Sequence, residues 1–260
     1  MSERHQTSGG GGDRSRSFGF TPVAPEEKQK RVNDVFARVA DRYDLMNDIM
    51  SGGLHRLWKD DLIAWLSPPR GPQPFTLLDV AGGTGDVAMR FLEAAGGGAR
   101  CVLCDISADM LRVGQRRTAA KAAQNVRFVQ GNAEALPISD ATVDAYTIAF
   151  GIRNVTHLER ALQEAFRVLR PGGRFLCLEF SDVQVPWLDA AYERYSFSAI
   201  PAIGALVAGS ADPYRYLVES IRRFPDQESF AGLIRAAGFE RVKYRNLSGG
   251  IAALHSGWRL

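Results

Sequence analysis

The feature of this sequence that most constrains its fold is an alternation of short apolar runs with stretches of helical periodicity, from about Phe75 to Ser181. The runs have the length of buried strands, and the stretches between them repeat apolar residues at three- and four-residue steps. Strands that alternate with helices form parallel sheets covered on both faces. The sequence therefore predicts an α/β fold with strands at Thr76–Val80, Cys101–Asp105, Val126–Gln130, Ala145–Phe150 and Arg174–Glu179.

Other sections flank this alternating region. Residues 1–25 are polar and glycine-rich and are predicted to form a flexible tail, with the first 17 or so disordered and dispensable for activity. Residues 26–72 show helical periodicity that ends at a proline-rich break, and residues 182–225 carry an apolar run. A helix at Gln227–Ala237 capped by Gly238, then strands at Val242–Leu247 and Ile251–Leu260, are predicted to close the chain.

Composition excludes several classes of protein. The 260 residues, 45% of them hydrophobic, suffice for one large domain, and a net charge of +3 excludes nucleic-acid binding through overwhelming charge. Three cysteines cannot all pair, and Cys101 and Cys104 fall in a predicted strand, so buried thiols are favoured over disulfides or a metal site. The most apolar run, Ala199–Gly209, is too short to span a bilayer. We therefore expect a cytoplasmic protein without a bound metal.

A glycine cluster, Gly82–Gly85, stands between the first predicted strand and the next helix. This is the position of a nucleotide-binding turn, where missing side chains let a ligand approach the backbone. A diphosphate at the helix N-terminus would disfavour nearby carboxylates, yet Asp79 precedes the glycines and Asp86 follows them. This acidity favours a cationic ligand without phosphates, such as S-adenosylmethionine, and a plain tight turn is the alternative.

Residues at the ends of the next two strands agree with such a ligand. Asp105 ends the second strand, where its carboxylate can accept hydrogen bonds from both ribose hydroxyls, although a helix-capping role is the alternative. The loop Gly131–Pro137 follows the third strand, and the turn Arg167–Gly173 leads into the fifth. Together with the glycine cluster, these loops resemble those of the Rossmann-like methyltransferases. The residues that we expect to contact the cofactor are Gly82, Thr84, Asp105, Asn132 and Ala133.

Two more stretches narrow the resemblance. The segment Phe150–Val155 after the fourth strand lacks the Asp/Asn-Pro-Pro-aromatic motif of amine methyltransferases, and no Pro-Cys pair for cytosine methylation occurs. The helical section carries Tyr43–Asn47, and later His55 and Trp58. With the stretch Arg167–Ser181, these motifs resemble the ubiquinone/menaquinone biosynthesis C-methyltransferases from about Phe18 to the C-terminus.

The resemblance implies a doubly wound, seven-stranded and mostly parallel sheet with an antiparallel C-terminal strand. It also implies a single domain over residues 26–260, made of an N-terminal helical extension (26–72), a cofactor-binding core (73–181), a helical substrate cover (182–225) and a C-terminal helix with strands (226–260). Two positions depart from the family pattern. Arg170 replaces a common lysine, and Ala149 replaces a serine that contacts the cofactor in many members.

The implied reaction is methyl transfer from S-adenosylmethionine to a ring carbon of a polyprenyl benzoquinol or naphthoquinol. The resemblance allows peripheral contact with the inner face of a membrane, association with other enzymes of quinone biosynthesis and a homodimer, and it implies no nucleic-acid partner. An NAD-dependent dehydrogenase and a non-catalytic scaffold that binds S-adenosylmethionine are the competing interpretations.

The catalytic candidates follow from what ring methylation requires. A ring carbon is a weak nucleophile until the adjacent hydroxyl loses its proton, so the site must stabilise a phenolate and accept a proton. Arg153 is the first candidate because of its fixed charge, with a surface salt bridge as the alternative. Asn154 either binds the quinol oxygens or caps the next helix, Tyr43 either covers the ring or belongs to the core, and His55 is either a base or a packed histidine.

Overall fold

The structure is a computed structural model that describes residues 14–39, 43–118, 124–185, 189, 192, 194–199 and 212–260. The helices within these residues are α1 (Pro25–Val39), α2 (Tyr43–Ser51), α3 (His55–Leu66), α4 (Asp86–Ala94), α5 (Ala108–Thr118), α6 (Leu158–Val168), α7 (Asp212–Arg222) and α8 (Gln227–Ala236). The strands are β1 (Ser17–Phe18), β2 (Thr21–Pro22), β3 (Phe75–Val80), β4 (Ala99–Asp105), β5 (Val126–Gln130), β6 (Val143–Ala149), β7 (Leu169–Phe180), β8 (Glu240–Leu247) and β9 (Ala252–Trp258). Short turns of 3₁₀-helix cover Arg14–Arg16, Ile152–Asn154 and Ser248–Gly250, and a π-helical turn covers Tyr195–Ala199.

Seven strands form one sheet in the order β5-β4-β3-β6-β7-β9-β8. The pairs from β5 to β7 are parallel, and β9 runs antiparallel to both of its neighbours. The predicted α/β fold with one antiparallel C-terminal strand is confirmed. The chain leaves β3 toward β4 and β5 and then returns to β6, so the direction of winding reverses between β3 and β6. Ligands of open α/β sheets bind in the crevice at such a reversal.

The alternation of side chains along β3 divides the core between the two faces of the sheet. Leu77 packs with residues of α3 and α4, including Trp58 and Phe91. Leu78 faces the opposite side and belongs to the cluster that contains Leu162 of α6. Successive strand residues point to opposite faces, so a strand of apolar residues serves both layers.

Two boundaries illustrate how the sequence sets the elements. Helix α3 ends at Leu66 because Ser67 adopts a left-handed conformation (φ 52°) and two prolines follow it. Strand β7 begins at Leu169, five residues before the predicted start at Arg174, and it contains Gly172 at φ 80°. The pairing of β6 with β7 shifts register at this point, so the predicted turn is an irregular part of the strand.

The cysteines of β4 are buried as the sequence predicted, and both thiols are free. Burial raises the pKa of Cys104 to about 12, which keeps this thiol protonated and unreactive at neutral pH. In the part of the chain that the structure describes, no helix is both long and apolar enough to cross a membrane. The apolar centre of the predicted cover, residues 200–211, lies outside the described residues.

Part of the predicted tail has a defined structure. Residues 14–24, which we predicted to be part of the flexible tail, form a 3₁₀ turn and the β1–β2 hairpin. The Phe18 ring stacks on Tyr216 of α7 with centroids 4.1 Å apart, and the Phe20 N–H donates to the Glu219 carboxylate at 2.9 Å. The prediction missed this hairpin because its partners lie on a distant helix. Residues 1–13 lie outside the described residues.

We therefore expect two truncations to behave differently. Removal of residues 1–13 should leave the free energy of unfolding and the activity unchanged. Removal of residues 1–24 should lower the free energy of unfolding by roughly 2–3 kcal/mol, because it exposes the apolar surface that the Phe18 ring covers. Urea unfolding of both variants measures the difference. Equal midpoints would show that the hairpin contributes nothing to stability.

Candidate active site

The glycine turn leaves β3 at Val80 and enters α4 at Asp86. A Cβ atom on Gly82 would lie 2.8 Å from both Asp79 Oδ2 and Leu103 Cγ, closer than side chains tolerate. Gly83 and Gly85 have positive φ angles of 55° and 88°. Only glycine meets both demands without strain, so the turn brings bare backbone to the carboxyl edge of the sheet.

Asp105 lies beside this turn at the end of β4. Its Oδ2 accepts from the Gly83 N–H at 2.9 Å, and its Oδ1 accepts from the Ser107 N–H at 2.8 Å. Burial raises the pKa of Asp105, and the backbone hydrogen bonds partly offset this rise. These bonds fix the carboxylate in place, and each oxygen keeps a second lone pair that can accept a hydrogen bond from a hydroxyl group.

A cavity of about 690 Å³ opens at the reversal of winding between β3 and β6. The loops after β3, β4, β5 and β6 form its walls, and α1 forms its cover. Four of the predicted site residues line it: Asp105, Asn132, Ala133 and Asn154. Helix α1 adds Gln29, Val32 and Asn33, with the Gln29 amide donating to Asn33 Oδ1 at 2.9 Å. Helix α1 was not predicted to be part of the site, although Gln29 and Asn33 flank the buried Val32 on this helix.

A second cavity of about 330 Å³ lies on the other side of the glycine turn. It is lined by Lys59, Asp79, Ala81, Gly82, Thr84, Asp86, Val87, Ala149 and Phe150. Ala81 and Phe150 line both cavities, so the two adjoin at this pair. The predicted contacts Gly82 and Thr84 therefore lie together, and Ala149 leaves the wall without a hydroxyl at its position.

Asp79 shows that this second cavity suits a cationic ligand. Its Oδ1 accepts from the Thr147 hydroxyl at 2.7 Å, while its buried Oδ2 has no hydrogen-bond partner. Burial raises the pKa of Asp79 to about 7. A buried carboxylate oxygen without a partner is costly, and a cation in the cavity would relieve that cost. The residues present thus fit the methionine end of S-adenosylmethionine, which carries a sulfonium and an ammonium group.

We expect cofactor affinity to depend on pH through Asp79. A cationic ligand favours the ionised carboxylate, so affinity should rise as pH rises through 7, by roughly eightfold between pH 6 and pH 7.5 for a group with a pKa of about 7. The charged groups that act on the pKa of Asp79 are Lys59, which lowers it, and Asp105 and Asp86, which raise it. Calorimetric titrations with S-adenosylmethionine at the two pH values measure the effect.

The matched control for this prediction is Asp79→Asn, which keeps the shape of the side chain and cannot ionise. Its affinity should change little over the same range, so the variant also reveals any change due to titration of the ligand itself. A parent protein whose affinity is as flat as that of the variant would contradict the prediction.

Arg153 points into the protein and is only 2% exposed. Its Nη1 donates to Glu179 Oε1 and to the Phe150 carbonyl, both at 2.6 Å, and its guanidinium lies 5.5 Å from the centre of the Phe180 ring. The surface salt bridge, the alternative for this residue, is wrong because the ion pair is buried. The side chain lines neither of the two cavities. Its catalytic role stays a prediction.

Asn154 is the catalytic candidate that faces the larger cavity. It lies in the 3₁₀ turn, and its Oδ1 accepts from the Tyr216 hydroxyl at 3.0 Å. The alternative of a helix cap is wrong because α6 begins after His157 without a side-chain cap. Tyr216 is the residue on which Phe18 stacks, so the hairpin and α7 together hold the oxygen of this amide in place.

The remaining candidates lie elsewhere. Tyr43 begins α2, but its side chain lies outside the described residues, so its role stays a prediction. His55 is buried at the start of α3, with its Nε2 2.9 Å from Asp48 Oδ1, and burial lowers its pKa. Because it lines neither cavity, the packed-histidine alternative fits its position. Among the described residues, no cluster of three or more His, Cys, Asp or Glu side chains could hold a metal ion.

Solved structures share this architecture. A methyltransferase of Thermotoga maritima that depends on S-adenosylmethionine matches with a TM-score of 0.62 and 21% identity, over 88% of this chain and 100% of its own. Phosphoethanolamine N-methyltransferase 2 of Haemonchus contortus, with S-adenosylhomocysteine, matches with a TM-score of 0.64 and 13% identity, over 88% of this chain and 60% of its own. At such identity these matches establish the fold alone. The sheet, with its glycine turn and the aspartate that ends β4, thus has the Rossmann-like fold of these methyltransferases.

Sequence relatives define the family. The model of the ubiE/COQ5 methyltransferase family matches residues 24–259. The chain belongs to this family. A ubiquinone/menaquinone biosynthesis C-methyltransferase of Brucella anthropi is 59% identical over 253 residues, which cover 97% of this chain and 96% of the relative. The corresponding protein of Brucella abortus is also 59% identical, over 97% of this chain and 94% of the relative.

Proposed function

We propose that this protein transfers a methyl group from S-adenosylmethionine to a ring carbon of a prenylated benzoquinol or naphthoquinol, in ubiquinone or menaquinone biosynthesis. The observation that carries the proposal is the cavity between β3 and β6, which is lined both by Asp105, the expected ribose ligand, and by Asn154, a catalytic candidate. The family and its close relatives act as C-methyltransferases, and the chain matches them over nearly its full length.

The walls of the larger cavity suit a ring with hydroxyl groups. Val32, Phe150 and Val155 are apolar and can pack against the faces of a ring. The amides of Gln29, Asn33 and Asn154 supply polar groups in its lining. When bound, S-adenosylmethionine supplies an electrophilic methyl group. The residues of this chain then orient the ring carbon toward it and exclude water, and such orientation contributes ~7–11 kcal/mol in favourable cases.

Among its residues, Asn154 is placed to stabilise an ionised quinol hydroxyl. The Tyr216 hydroxyl donates to Asn154 Oδ1 at 3.0 Å. The Asn154 Nδ2 can therefore donate a hydrogen bond to the substrate. A donor that faces the developing phenolate stabilises charge on oxygen and makes the ring carbon more nucleophilic. We assign Asn154 this role, with Tyr216 as the residue that positions it.

Contact with a membrane surface fits one exposed edge of the molecule. Phe20 and Phe197 are exposed and stack with ring centroids 6.5 Å apart, and the Arg223 guanidinium lies 5.7 Å from the Phe20 ring. Aromatic side chains beside basic groups are typical of surfaces that bind the membrane interface. A peripheral contact there would bring the site close to prenylated substrates.

The competing interpretations fit the site less well. A dinucleotide places its diphosphate at the N-terminus of the helix after the glycine turn. Asp86 begins that helix, and the carboxylate of Asp79 lies beneath the turn, so the site would repel a diphosphate. A scaffold without activity would not need the amide groups of Gln29, Asn33 and Asn154 in the lining of the larger cavity.

Incubation of the purified protein with S-adenosylmethionine labelled in its methyl group tests the proposal. Short-chain demethyl benzoquinol and demethyl naphthoquinol serve as parallel acceptors, so that membrane access does not limit the rate. We expect label in at least one product, and a ratio of rates that reports which ring is preferred. Tight binding of S-adenosylmethionine without transfer to either acceptor would favour the scaffold and contradict the proposal.

A further inference from the structure

Lys59 is a buried lysine for which the proposed reaction has no role so far. It projects from α3 into the second cavity, and its side chain is only 6% exposed. Its Nζ donates to Asp86 Oδ2 at 2.8 Å. A buried ammonium is costly unless it is paired, so its position calls for a specific partner.

Asp86 does not depend on Lys59 alone for a countercharge. Arg90, one turn further along α4, donates from its Nε to the other carboxylate oxygen of Asp86 at 3.0 Å. Burial opposes ionisation of Asp86, but Lys59 and Arg90 together hold its pKa below the usual value. Arg90 does not line the cavity, whereas Lys59 does. The ammonium of Lys59 has three donors, and Asp86 takes one of them.

The charges around the second cavity mirror those of one end of the cofactor. Asp79 and Asp86 contribute two carboxylates, and Lys59 is the only lysine or arginine among the described residues that line it. The methionine end of S-adenosylmethionine carries two positive groups, the sulfonium and the ammonium, and one negative group, the carboxylate. A cavity with two negative groups and one positive group complements this pattern.

We propose that Lys59 binds the carboxylate of the methionine end of the cofactor and so selects S-adenosylmethionine over analogues that lack this group. The inference rests on the proposed function, because it requires that S-adenosylmethionine occupies the site. The two cavities adjoin at Ala81 and Phe150, so the adenosine part fits beside Asp105 while the methionine end reaches Lys59.

In this assignment α3 contributes to cofactor binding as well as to the core. Helix α3 packs its apolar face on the sheet through Trp58 and Leu62, and it delivers one charged residue between them to the cofactor. The selectivity for the carboxylate therefore comes from outside the region of alternating strands and helices.

Calorimetric binding of two ligands tests the proposal. S-adenosylmethionine and its decarboxylated form carry the same sulfonium and the same amine, and they differ only in the carboxylate. The parent protein should bind S-adenosylmethionine at least tenfold more tightly, which corresponds to about 1.4 kcal/mol. Lys59→Met should lower the affinity for S-adenosylmethionine about tenfold and change that for the decarboxylated form less than twofold.

Arg90→Gln is the matched control, because it also removes a cation from Asp86 but not one that lines the cavity. Its affinities for the two ligands should keep the parent ratio. Equal binding of the two ligands by the parent protein would overturn the inference even if Lys59→Met failed to fold, and so would equal weakening of both ligands by Lys59→Met. A parent protein that binds neither ligand would overturn the proposed function as well, which separates the two failures.

Discussion

Replacement of Arg153 by alanine is expected to lower the free energy of unfolding by ~3–5 kcal/mol. The guanidinium and the carboxylate of Glu179 are both buried and pair at 2.6 Å, so the variant leaves a buried charge without a partner. Burial raises the pKa of Glu179 even while Arg153 favours its ionised form. Urea unfolding at pH 8 measures the loss.

The stability that Arg153→Ala loses should depend on pH through the protonation of Glu179. Without Arg153 the carboxyl of Glu179 takes up a proton more readily, and a neutral carboxyl carries no penalty for an unpaired charge. The difference in stability between parent and variant should therefore shrink as pH falls from 8 toward 5. A difference that stays constant, or an unfolding midpoint equal to that of the parent, would contradict the buried pair as the cause.

A double variant separates stability from catalysis. The variant Arg153→Met with Glu179→Gln removes both charges. In the parent protein the Phe180 N–H donates to Glu179 Oε1 at 3.0 Å, and the glutamine keeps an oxygen that can accept this bond. More than half of the lost stability should return. If Arg153 also stabilises the phenolate, turnover of this folded variant should be low while its cofactor affinity is normal. Normal turnover would show that Arg153 acts only through its pair with Glu179.

Replacement of Asp105 by alanine is expected to weaken binding of S-adenosylmethionine tenfold or more. The carboxylate accepts from the Gly83 and Ser107 N–H groups and lines the larger cavity, where it can also accept hydrogen bonds from the ribose hydroxyls. Loss of hydrogen bonds to a charged acceptor costs ~1.5–3 kcal/mol. Calorimetry with S-adenosylmethionine, in the absence of a quinol so that no methyl group is transferred, gives the affinity.

Asp109→Ala is the control for this measurement. Asp109 lies on α5 close to Asp105 in the chain, but it pairs with Arg112 and does not line the cavity. Its affinity should equal that of the parent. If both variants bind as tightly as the parent, the position of the ribose must be assigned to other residues.

Local patterns were sufficient to predict the sheet and to place the glycine turn and Asp105 at its carboxyl edge. The runs that predicted β3 and β4 are mostly apolar, and Gly82 and Asp105 lie at or just after the ends of these strands, where the topology fixes their position. Loops at the carboxyl edge of a parallel sheet converge whatever their composition. For this reason the order of motifs along the chain was enough to place them at two adjoining cavities on this edge of the sheet.

Long-range contacts were not predictable in this way. The sequence around Arg153 does not show that its partner would be Glu179, near the end of β7, or that this pair would be buried. The sequence likewise does not show the pairing of Lys59 with Asp86. Its periodicity predicts an amphipathic helix with Lys59 on the exposed face. Periodicity predicts which face of an element is buried, but it does not identify the neighbour on that face. The pairing of Phe18 with Tyr216 was missed for the same reason.

The position of the transferred methyl group tests the central claim most directly. Reaction of the purified protein with S-adenosylmethionine labelled with carbon-13 in its methyl group, and with a short-chain demethyl quinol, yields a product whose labelled carbon can be located by nuclear magnetic resonance. The account predicts a label bonded to a ring carbon, with both hydroxyl groups of the quinol unmodified. A label bonded to a quinol oxygen, or no label in the quinol, would contradict it.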